Sequence, residues 1–385
     1  MLTSPAALSD LAAAIRQRGV VAVDTEFVSG ATYYPRLGLV QLGLSDTETF
    51  LVDAPAVDDW TPLAEVIEDP SIVKILHDAQ QDLIILRRAM GAYPKNVFDS
   101  QQAAGFLGFR ASMPLNGLLK AMLDVRISKD ETRSDWLKRP LTDRQMAYAR
   151  DDVRYLPELR HVLIELAEQK SRLDWVDEER ARYDTAAMYN DAEPGDAFWQ
   201  VKGMGRLRGR QLARLDALAT WREEEARRRD RPRTHIAHDD VLIKIVNSNV
   251  TEEGALRKLR YLSENLRRRY ARPLARVLGE ADALPESEWP RQPPRRSHSE
   301  ADQLRGDLAL TFIRGRALAE GVDPSLVATR AAIKAFVQAL RRKRPEHPLL
   351  AGWRQQFIGD DLLRLMRGKA ALVVDPGSGL PVLQA

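Results

Sequence analysis

The stretch VVAVDTEF, Val20–Phe27, decides the fold of the first part of the chain. Its apolar and mostly β-branched residues predict a buried strand. Because side chains alternate across a strand, Asp24 and Glu26 leave one face and Thr25 leaves the other. Two neighbouring carboxylates at the end of a buried strand are costly to desolvate, unless cations lie between them. A solvated strand end would give the same pattern, so a metal site requires further ligands from elsewhere in the chain.

The composition describes an ordinary globular protein. The 385 residues are 44% hydrophobic and 29% charged, which is enough chain for two or three domains with cores of their own. The absence of cysteine excludes disulfides and thiolate metal sites and favours a reducing compartment. The N-terminus has no long apolar segment, and no apolar run reaches about 18 residues. We therefore expect a cytoplasmic protein that does not bind a membrane, and we expect a monomer.

The net charge of +3 conceals an asymmetry between the two halves. Residues 1–200 carry 22 Lys and Arg against 32 Asp and Glu, a charge of −10. Residues 201–385 carry 36 against 23, a charge of +13. This pattern is typical of one half that holds cations and another that binds a polyanion, although both could be solvated surfaces.

Strands and helices alternate along the first part of the chain. This pattern predicts an α/β or α+β domain with a mixed sheet, in which the first three strands form an antiparallel meander. The further predicted strands are Leu37–Leu44, Thr49–Asp53 and Ile72–Leu76, and the predicted helices are Pro5–Gly19, Trp60–Ile67 and His77–Met90.

Two further sets of acids lie on predicted helices. Asp78 is expected to cap the helix that begins near His77, whereas Asp82 lies one turn inside it and suits an outer metal ligand. In a helix predicted from Thr142, its N-cap, to Tyr155, Tyr148 lies three residues before Asp151 and four before Asp152. Helix geometry alone allows either acid to pair with the phenol.

Taken together, Asp24, Glu26, Asp82 and Asp152, with Tyr148, resemble the motifs of the DEDD exonucleases and specifically of their DEDDy branch. The resemblance extends to YYPRLGLVQL at Tyr33–Leu42 and to SKDETRSDWLKRPL at Ser128–Leu141, which are similar to the ribonuclease D family. It covers essentially the whole chain. It implies an RNase H-like fold, and it selects Asp152 over Asp151 and Asp82 over Asp78.

The resemblance also implies a mechanism, namely hydrolysis of phosphodiester bonds with two divalent ions, Mg²⁺ or Mn²⁺. It assigns Asp24 to both ions, Glu26 and Asp152 to the ion that activates the attacking water, and Asp82 to the second ion. Tyr148 would orient the water. The expected reaction removes nucleoside 5′-monophosphates from the 3′ ends of structured RNA precursors, tRNA in particular.

Substrate contacts can be suggested but have structural alternatives. Phe27 could stack on a base or simply end the core of its strand, and Lys129 and Arg133 could bind phosphate or lie in a solvated loop. We expect His77, Gln41 and Trp136 to be structural.

After Asp152 the sequence favours helices. Two units that resemble the HRDC module, a small helical bundle, follow a loose region near Trp199, and the first is the clearer match. The predicted segments are an exonuclease domain at 1–170, a helical linker at 171–204, HRDC domain 1 at 205–284, a Pro- and Arg-rich linker at 285–299, an HRDC-like domain 2 at 300–373 and a tail at 374–385.

The basic runs Arg227–Arg233, Arg267–Arg269 and Arg341–Arg344 fall in these modules and favour salt-sensitive phosphate contacts. Three functions remain open at this stage: an RNA-trimming exonuclease, a DNA exonuclease, and an inactive nucleic-acid-binding protein. The lack of a polymerase domain disfavours the second, and the intact acid set disfavours the third.

Overall fold

The computed structural model describes residues 1–128, 131, 134–292, 299–341 and 345–384. The described residues form two compact units. The first contains those of Met1–Phe27, Leu37–Tyr189 and Ser297–Ala385, and the second contains those of Val28–Arg36 and Asn190–Arg296. The division into six segments that we predicted from the sequence stays a prediction, because the two units are defined only by which residues contact one another.

A five-stranded mixed sheet forms the centre of the first unit. Its strands are β1 (Val20–Val28), β2 (Arg36–Gly43), β3 (Thr49–Asp53), β4 (Val73–Leu76) and β5 (Val97–Asp99), arranged in the order β3-β2-β1-β4-β5. β4 runs parallel to both β1 and β5, whereas β2 and β3 are antiparallel. The predicted mixed sheet is therefore confirmed. The carboxyl ends of the parallel strands meet at one edge, which is where Asp24 and Glu26 lie.

Helices cover both faces of this sheet. Those of the amino-terminal part are α1 (Pro5–Arg18), α2 (Thr61–Glu68), α3 (Gln80–Met90), α4 (Ser100–Phe106), α5 (Leu115–Leu123), α6 (Asp143–Arg154), α7 (Leu156–Gln169) and α8 (Leu173–Arg180). Alternate strand residues enter two hydrophobic clusters: Val21 packs with residues of α1, α2 and α3, and Ala22 packs with residues of α4, α5 and α7. This alternation is the period-two pattern expected of a strand buried on both faces.

The carboxy-terminal helices belong to the same unit as the sheet. They are α14 (Glu300–Ala319), α15 (Pro324–Val327), α16 (Arg330–Ala339), α17 (Gly352–Arg354) and α18 (Asp360–Met366). Trp353, only 1% exposed, stacks on Trp175 with ring centroids 5.2 Å apart. The buried Arg172 donates hydrogen bonds to the carbonyl oxygens of Phe106, at 2.6 Å, and Glu320, at 2.5 Å. These helices therefore share one core with the strands.

The second unit is mainly helical. Its helices are α9 (Arg210–Arg228), α10 (Arg233–Ile236), α11 (Asp239–Ser248), α12 (Glu253–Leu256) and α13 (Ala271–Ala283). Leu215, Trp221 and Leu274 lie in its core. The nearly buried Arg214 donates two hydrogen bonds to the carboxylate of Asp282, at 2.7 and 2.8 Å. This paired geometry ties α9 to α13.

Two stretches carry more structure than the sequence suggested. The predicted tail contains strand β7 (Pro381–Gln384), which pairs antiparallel with β6 (Ala371–Val374). Within the predicted helical linker, Tyr183 and Tyr189 are buried in the cluster that includes α1 and α3. Over the described ranges, no helix combines the length and apolar character needed to cross a membrane.

Candidate active site

The acids of the first strand lie where the sequence placed them. Asp24 and Glu26 are half-buried near the end of β1 and, with Asp152 of α6, form a cluster in the described part of the chain. One carboxylate oxygen of each lies within 4.8 Å of those of the other two. Three hard oxygen donors at this separation suit a hard divalent cation.

Helix α6 brings Asp152 and Tyr148 to this edge. Thr142 caps it as predicted, and the Gln145 side-chain oxygen completes a capping box by accepting a hydrogen bond from the Thr142 N–H at 3.0 Å, so the start of the helix is fixed. The Tyr148 hydroxyl donates a hydrogen bond to the Asp152 carboxylate. Asp151 instead forms a 3.0 Å ion pair with Arg154. The structure thus brings Asp152, rather than Asp151, to the other acids.

The close approach of this region to the sheet depends on two glycines of β2. A Cβ built on Gly43 would lie 2.7 Å from the carbonyl oxygen of Val153, and one on Gly38 would collide with the carbonyl of Trp136. Any larger residue would push α6, or the segment before it, away from the sheet. Arg139 also holds this segment, through an ion pair with Asp53 and a 2.7 Å hydrogen bond to the Gly38 carbonyl.

Asp82 approaches from the other face of the sheet. It lies in the first turn of α3, is 9% exposed, and accepts a hydrogen bond from the Thr25 hydroxyl. Thr25 leaves β1 on the face opposite Asp24 and Glu26, as predicted, and that direction lets it reach α3. Asp82 still acts electrostatically on Asp24. Asp82 is therefore near the cluster but is not one of the three acids whose oxygens lie within 4.8 Å of one another.

The expected start of α3 at His77, with Asp78 as its cap, is wrong. The helix begins at Gln80, and Asp78 has a φ of +63°, which is a left-handed conformation outside the helix. The hydrogen-bond acceptor at this end is Asp99, whose carboxylate accepts from the backbone N–H groups of Asp78 and Ala79, both at 3.1 Å.

Asp99 is thus a residue that the sequence analysis missed. It is 6% exposed, lies at the end of β5, caps α4 through the N–H groups of Gln101 and Gln102, and accepts a 2.7 Å hydrogen bond from the Tyr183 hydroxyl. Its role as the cap of α4 could have been predicted from the sequence, because aspartate is a favourable N-cap residue. Its bonds to α3 depend on the parallel register of β4 and β5 and could not be seen in the sequence.

The electrostatics of the site are those of crowded, buried carboxyls. Burial, followed by repulsion from Asp82 and Asp152, raises the pKa of Asp24 well above its usual value. Burial and the same two neighbours raise the pKa of Glu26 to about 9. Burial raises the pKa values of Asp82 and Asp152 to about 7 each. All four acids are therefore costly to ionise together, and divalent cations would remove that cost.

We expected His77, Gln41 and Trp136 to be structural, and all three lie within the first unit. The two ring nitrogens of His77 lie 3.0 Å from the Ser100 hydroxyl and 2.9 Å from the Met113 carbonyl oxygen. Trp136 is 1% exposed, and its ring centroid lies 6.1 Å from that of Tyr148. Gln41 is fully buried in β2.

Of the three suggested substrate contacts, the structure describes only Phe27. Phe27 is half-buried at the end of β1, next to Glu26 in the chain. Lys129 and Arg133 lie outside the described residues. The three remain predictions.

Several arginines of the basic runs form ion pairs within the protein, which the sequence did not indicate. Arg228 and Arg229 both pair with the buried Glu225, and Arg227 and Arg233 with the buried Glu223. In the other runs, Arg341 pairs with Asp302, whereas residues 342–344 are outside the described ranges. Phosphate binding by these side chains would therefore compete with internal carboxylates.

Comparison with known proteins agrees with this site. A family model described as a 3′-5′ exonuclease matches residues 1–168, and a model of the HRDC domain matches residues 211–278. Ribonuclease D of Pseudomonas paraeruginosa is 37% identical over 363 residues, which are 91% of this chain and 93% of that protein. Ribonuclease D of Desulfotalea psychrophila is 36% identical over 343 residues, 88% of this chain and 91% of that protein.

The fold has a close counterpart among solved structures. The crystal structure of Escherichia coli RNase D, described as an exoribonuclease involved in structured RNA processing, superposes with a TM-score of 0.85 at 29% sequence identity. The match covers 96% of this chain and 98% of that one.

A mixed sheet that carries converging acids at one edge, together with these matches, defines a 3′-5′ exonuclease of the DEDD type with an RNase H-like catalytic domain. Enzymes of this type hydrolyse phosphodiester bonds with divalent metal ions. The chain belongs to the ribonuclease D family and is an exoribonuclease.

Proposed function

We propose that this enzyme trims the 3′ ends of structured RNA precursors, tRNA in particular, and releases nucleoside 5′-monophosphates. The convergence of Asp24, Glu26 and Asp152 within 4.8 Å carries this proposal. The description of the E. coli relative as acting in structured RNA processing supports the substrate class. RNA precursors of this kind are found in the cytoplasm, where we place the enzyme as a monomer.

We assign the metal ligands on chemistry and position. Asp24, Glu26 and Asp152 would hold divalent ions, Asp82 would complete the set, and two Mg²⁺ or Mn²⁺ ions suit four carboxylates with no thiolate to compete. When bound, such ions stabilise the charge that develops on the attacking and leaving oxygens and make water a better nucleophile at neutral pH. The crowding that raises the pKa values of these acids supports this assignment.

Tyr148 is the residue that we assign to positioning the attacking water. Its hydroxyl donates to Asp152, which places a group that both donates and accepts hydrogen bonds beside this carboxylate. Packing against the buried Trp136 limits the movement of the ring. Asp152 then has two roles, as a metal ligand and as the acceptor that fixes the phenol. Phe27, Lys129 and Arg133 stay assigned to substrate contact by resemblance.

The test follows the shortening of a 5′-labelled tRNA precursor and of a DNA strand of the same sequence. Wild type, Asp24→Asn, Asp152→Asn and Asp151→Asn are compared with Mg²⁺, Mn²⁺ or EDTA. Asp151→Asn is the matched control, because this neighbouring acid pairs with Arg154 rather than with the cluster. We expect a metal-dependent ladder on RNA that Asp24→Asn and Asp152→Asn abolish and Asp151→Asn retains.

Two outcomes would overturn the proposal. DNA degradation as fast as RNA degradation would indicate a DNA exonuclease. Binding of RNA without cleavage by wild type would indicate an inactive nucleic-acid-binding protein.

A further inference from the structure

The segment that joins the catalytic strand to the next strand belongs to the second compact unit. Val28–Arg36 comprise the last residue of β1, the seven residues between the strands and the first residue of β2, and they group with Asn190–Arg296 rather than with the sheet. This connecting segment, which we call the β1–β2 loop, begins one residue after Phe27 and two after Glu26. Its contacts with α9, the first helix of the matched HRDC region, are all internal to the second unit.

Tyr33 is the centre of these contacts. Its hydroxyl donates a hydrogen bond to Glu223, a residue of α9 that is only 2% exposed. The Arg227 guanidinium donates to the same hydroxyl at 3.3 Å and lies 5.7 Å from the centre of the ring. The ring also packs against the hydrophobic core of the second unit. A partly buried, charge-assisted hydrogen bond of this kind fixes the position of a side chain.

The backbone of the loop is held as well. The Asp230 carboxylate accepts hydrogen bonds from the N–H groups of Tyr33, at 3.0 Å, and Tyr34, at 3.4 Å. Asp230 follows α9 closely and adopts a left-handed φ of +47° that turns the chain there. The Tyr34 hydroxyl donates to Asp191 at 3.0 Å. The loop is therefore held both by a side chain and by its main chain.

We propose that Tyr33, Glu223 and Asp230 are positioning residues for hydrolysis, and that the HRDC helix α9 acts through them on the catalytic strand. The proposal rests on the function proposed above. Only one residue, Phe27, separates the loop from Glu26 in the chain, so the conformation of the loop limits where β1 ends. A carboxylate ligand displaced by a fraction of an ångström binds metal less well and supports the reaction less well. The HRDC region thus contributes to the chemical step.

The alternative is that the same contacts only stabilise the second unit. Tyr33→Phe separates the two explanations, because it keeps the packed ring and removes only the hydroxyl. Asp230→Ala removes the acceptor for the loop backbone. The matched control is Glu225→Gln: Glu225 is also on α9 and also pairs with two arginines, but these are Arg228 and Arg229 rather than a residue of the loop or one bonded to it.

The experiment measures kcat and KM on a short single-stranded RNA, the affinity for Mn²⁺, and the midpoint of urea unfolding. For Tyr33→Phe and Asp230→Ala we expect kcat to fall about tenfold and Mn²⁺ to bind several-fold more weakly, with KM near that of wild type. Glu225→Gln should lower the unfolding midpoint and leave kcat and Mn²⁺ affinity unchanged. In a double-mutant cycle, the variant that combines Tyr33→Phe with Glu223→Gln should have the same kcat as the less active of the two single variants, because both substitutions remove the same hydrogen bond.

Unchanged kcat and Mn²⁺ affinity in Tyr33→Phe and Asp230→Ala would overturn the inference, as would an equal loss in Glu225→Gln. If wild type cut no RNA, the proposed function would fail on its own. The Mn²⁺ affinities of the same variants would then decide the inference separately.

Discussion

Replacing Asp152 with asparagine should abolish activity and yet stabilise the metal-free protein. Burial and the neighbouring carboxylates Asp151 and Asp82 raise the pKa of Asp152 to about 7. In the unfolded chain the same carboxyl titrates near 3.8. Asparagine has nearly the same shape, carries no charge, and can still accept the hydrogen bond from Tyr148. It therefore removes a cost of ionisation without leaving a cavity.

The size and pH dependence of this effect follow from linkage. Because the folded pKa is raised, the folded protein keeps a proton that the unfolded chain loses, and wild-type stability falls as the pH rises from about 4 to 7. At 1.4 kcal/mol per pKa unit, the cost at pH 8 is about 4 kcal/mol.

Urea unfolding of wild type and Asp152→Asn, in EDTA and in Mn²⁺, measures this difference directly. In EDTA we expect the variant to be more stable by about 4 kcal/mol at pH 8 and by less than about 1 kcal/mol at pH 4. Mn²⁺ should stabilise wild type far more than the variant, and more at pH 8 than at pH 6, since binding requires ionised carboxylates. A variant less stable than wild type in EDTA at pH 8 would refute the reasoning.

Three further substitutions test the parts that support the site. Tyr148→Phe removes the hydroxyl, so kcat should fall about 10- to 100-fold with KM unchanged, as steady-state kinetics would show. Gly43→Ala places a Cβ against the Val153 carbonyl, so stability should fall by about 1–3 kcal/mol and kcat should fall with it; a fully active, equally stable variant would contradict this close approach. Trp353→Ala should cost about 3–5 kcal/mol in urea unfolding of the catalytic unit, because its ring is in that core; a loss below about 1 kcal/mol would count against a shared core.

The sequence was most informative where a local pattern determines the structure. The strand Val20–Phe27 and the Thr142 cap each specify geometry within a few residues. It was therefore predictable that Asp24 and Glu26 lie on the same face of β1, and that Tyr148 and Asp152 lie on the same side of α6. The choice between Asp151 and Asp152 was not, since helix spacing allows both. It required the family resemblance, and the 3.0 Å pair between Asp151 and Arg154 now gives the physical reason.

The remaining features depend on contacts between distant parts of the chain. Asp99 supports α3 only because β4 and β5 are parallel neighbours, and Tyr183 reaches Asp99 from a stretch that looked like a linker. Likewise, nothing in the helical pattern after Glu300 indicates that those helices complete the core of the sheet. Nor does the β1–β2 loop carry a local signal for α9, because Glu223 and Asp230 lie about 190 residues away in sequence.

The most direct test of the account is the number of Mn²⁺ ions that the protein binds at pH 8, measured by electron paramagnetic resonance of the free ion in the presence of a nucleoside 5′-monophosphate. Wild type should bind two ions, Asp24→Asn should lose both at the same concentrations, and Asp59→Asn, which changes a fully exposed acid, should match wild type. Equal binding by wild type and Asp24→Asn would contradict the claim that the carboxylates at the end of β1 hold the catalytic metals.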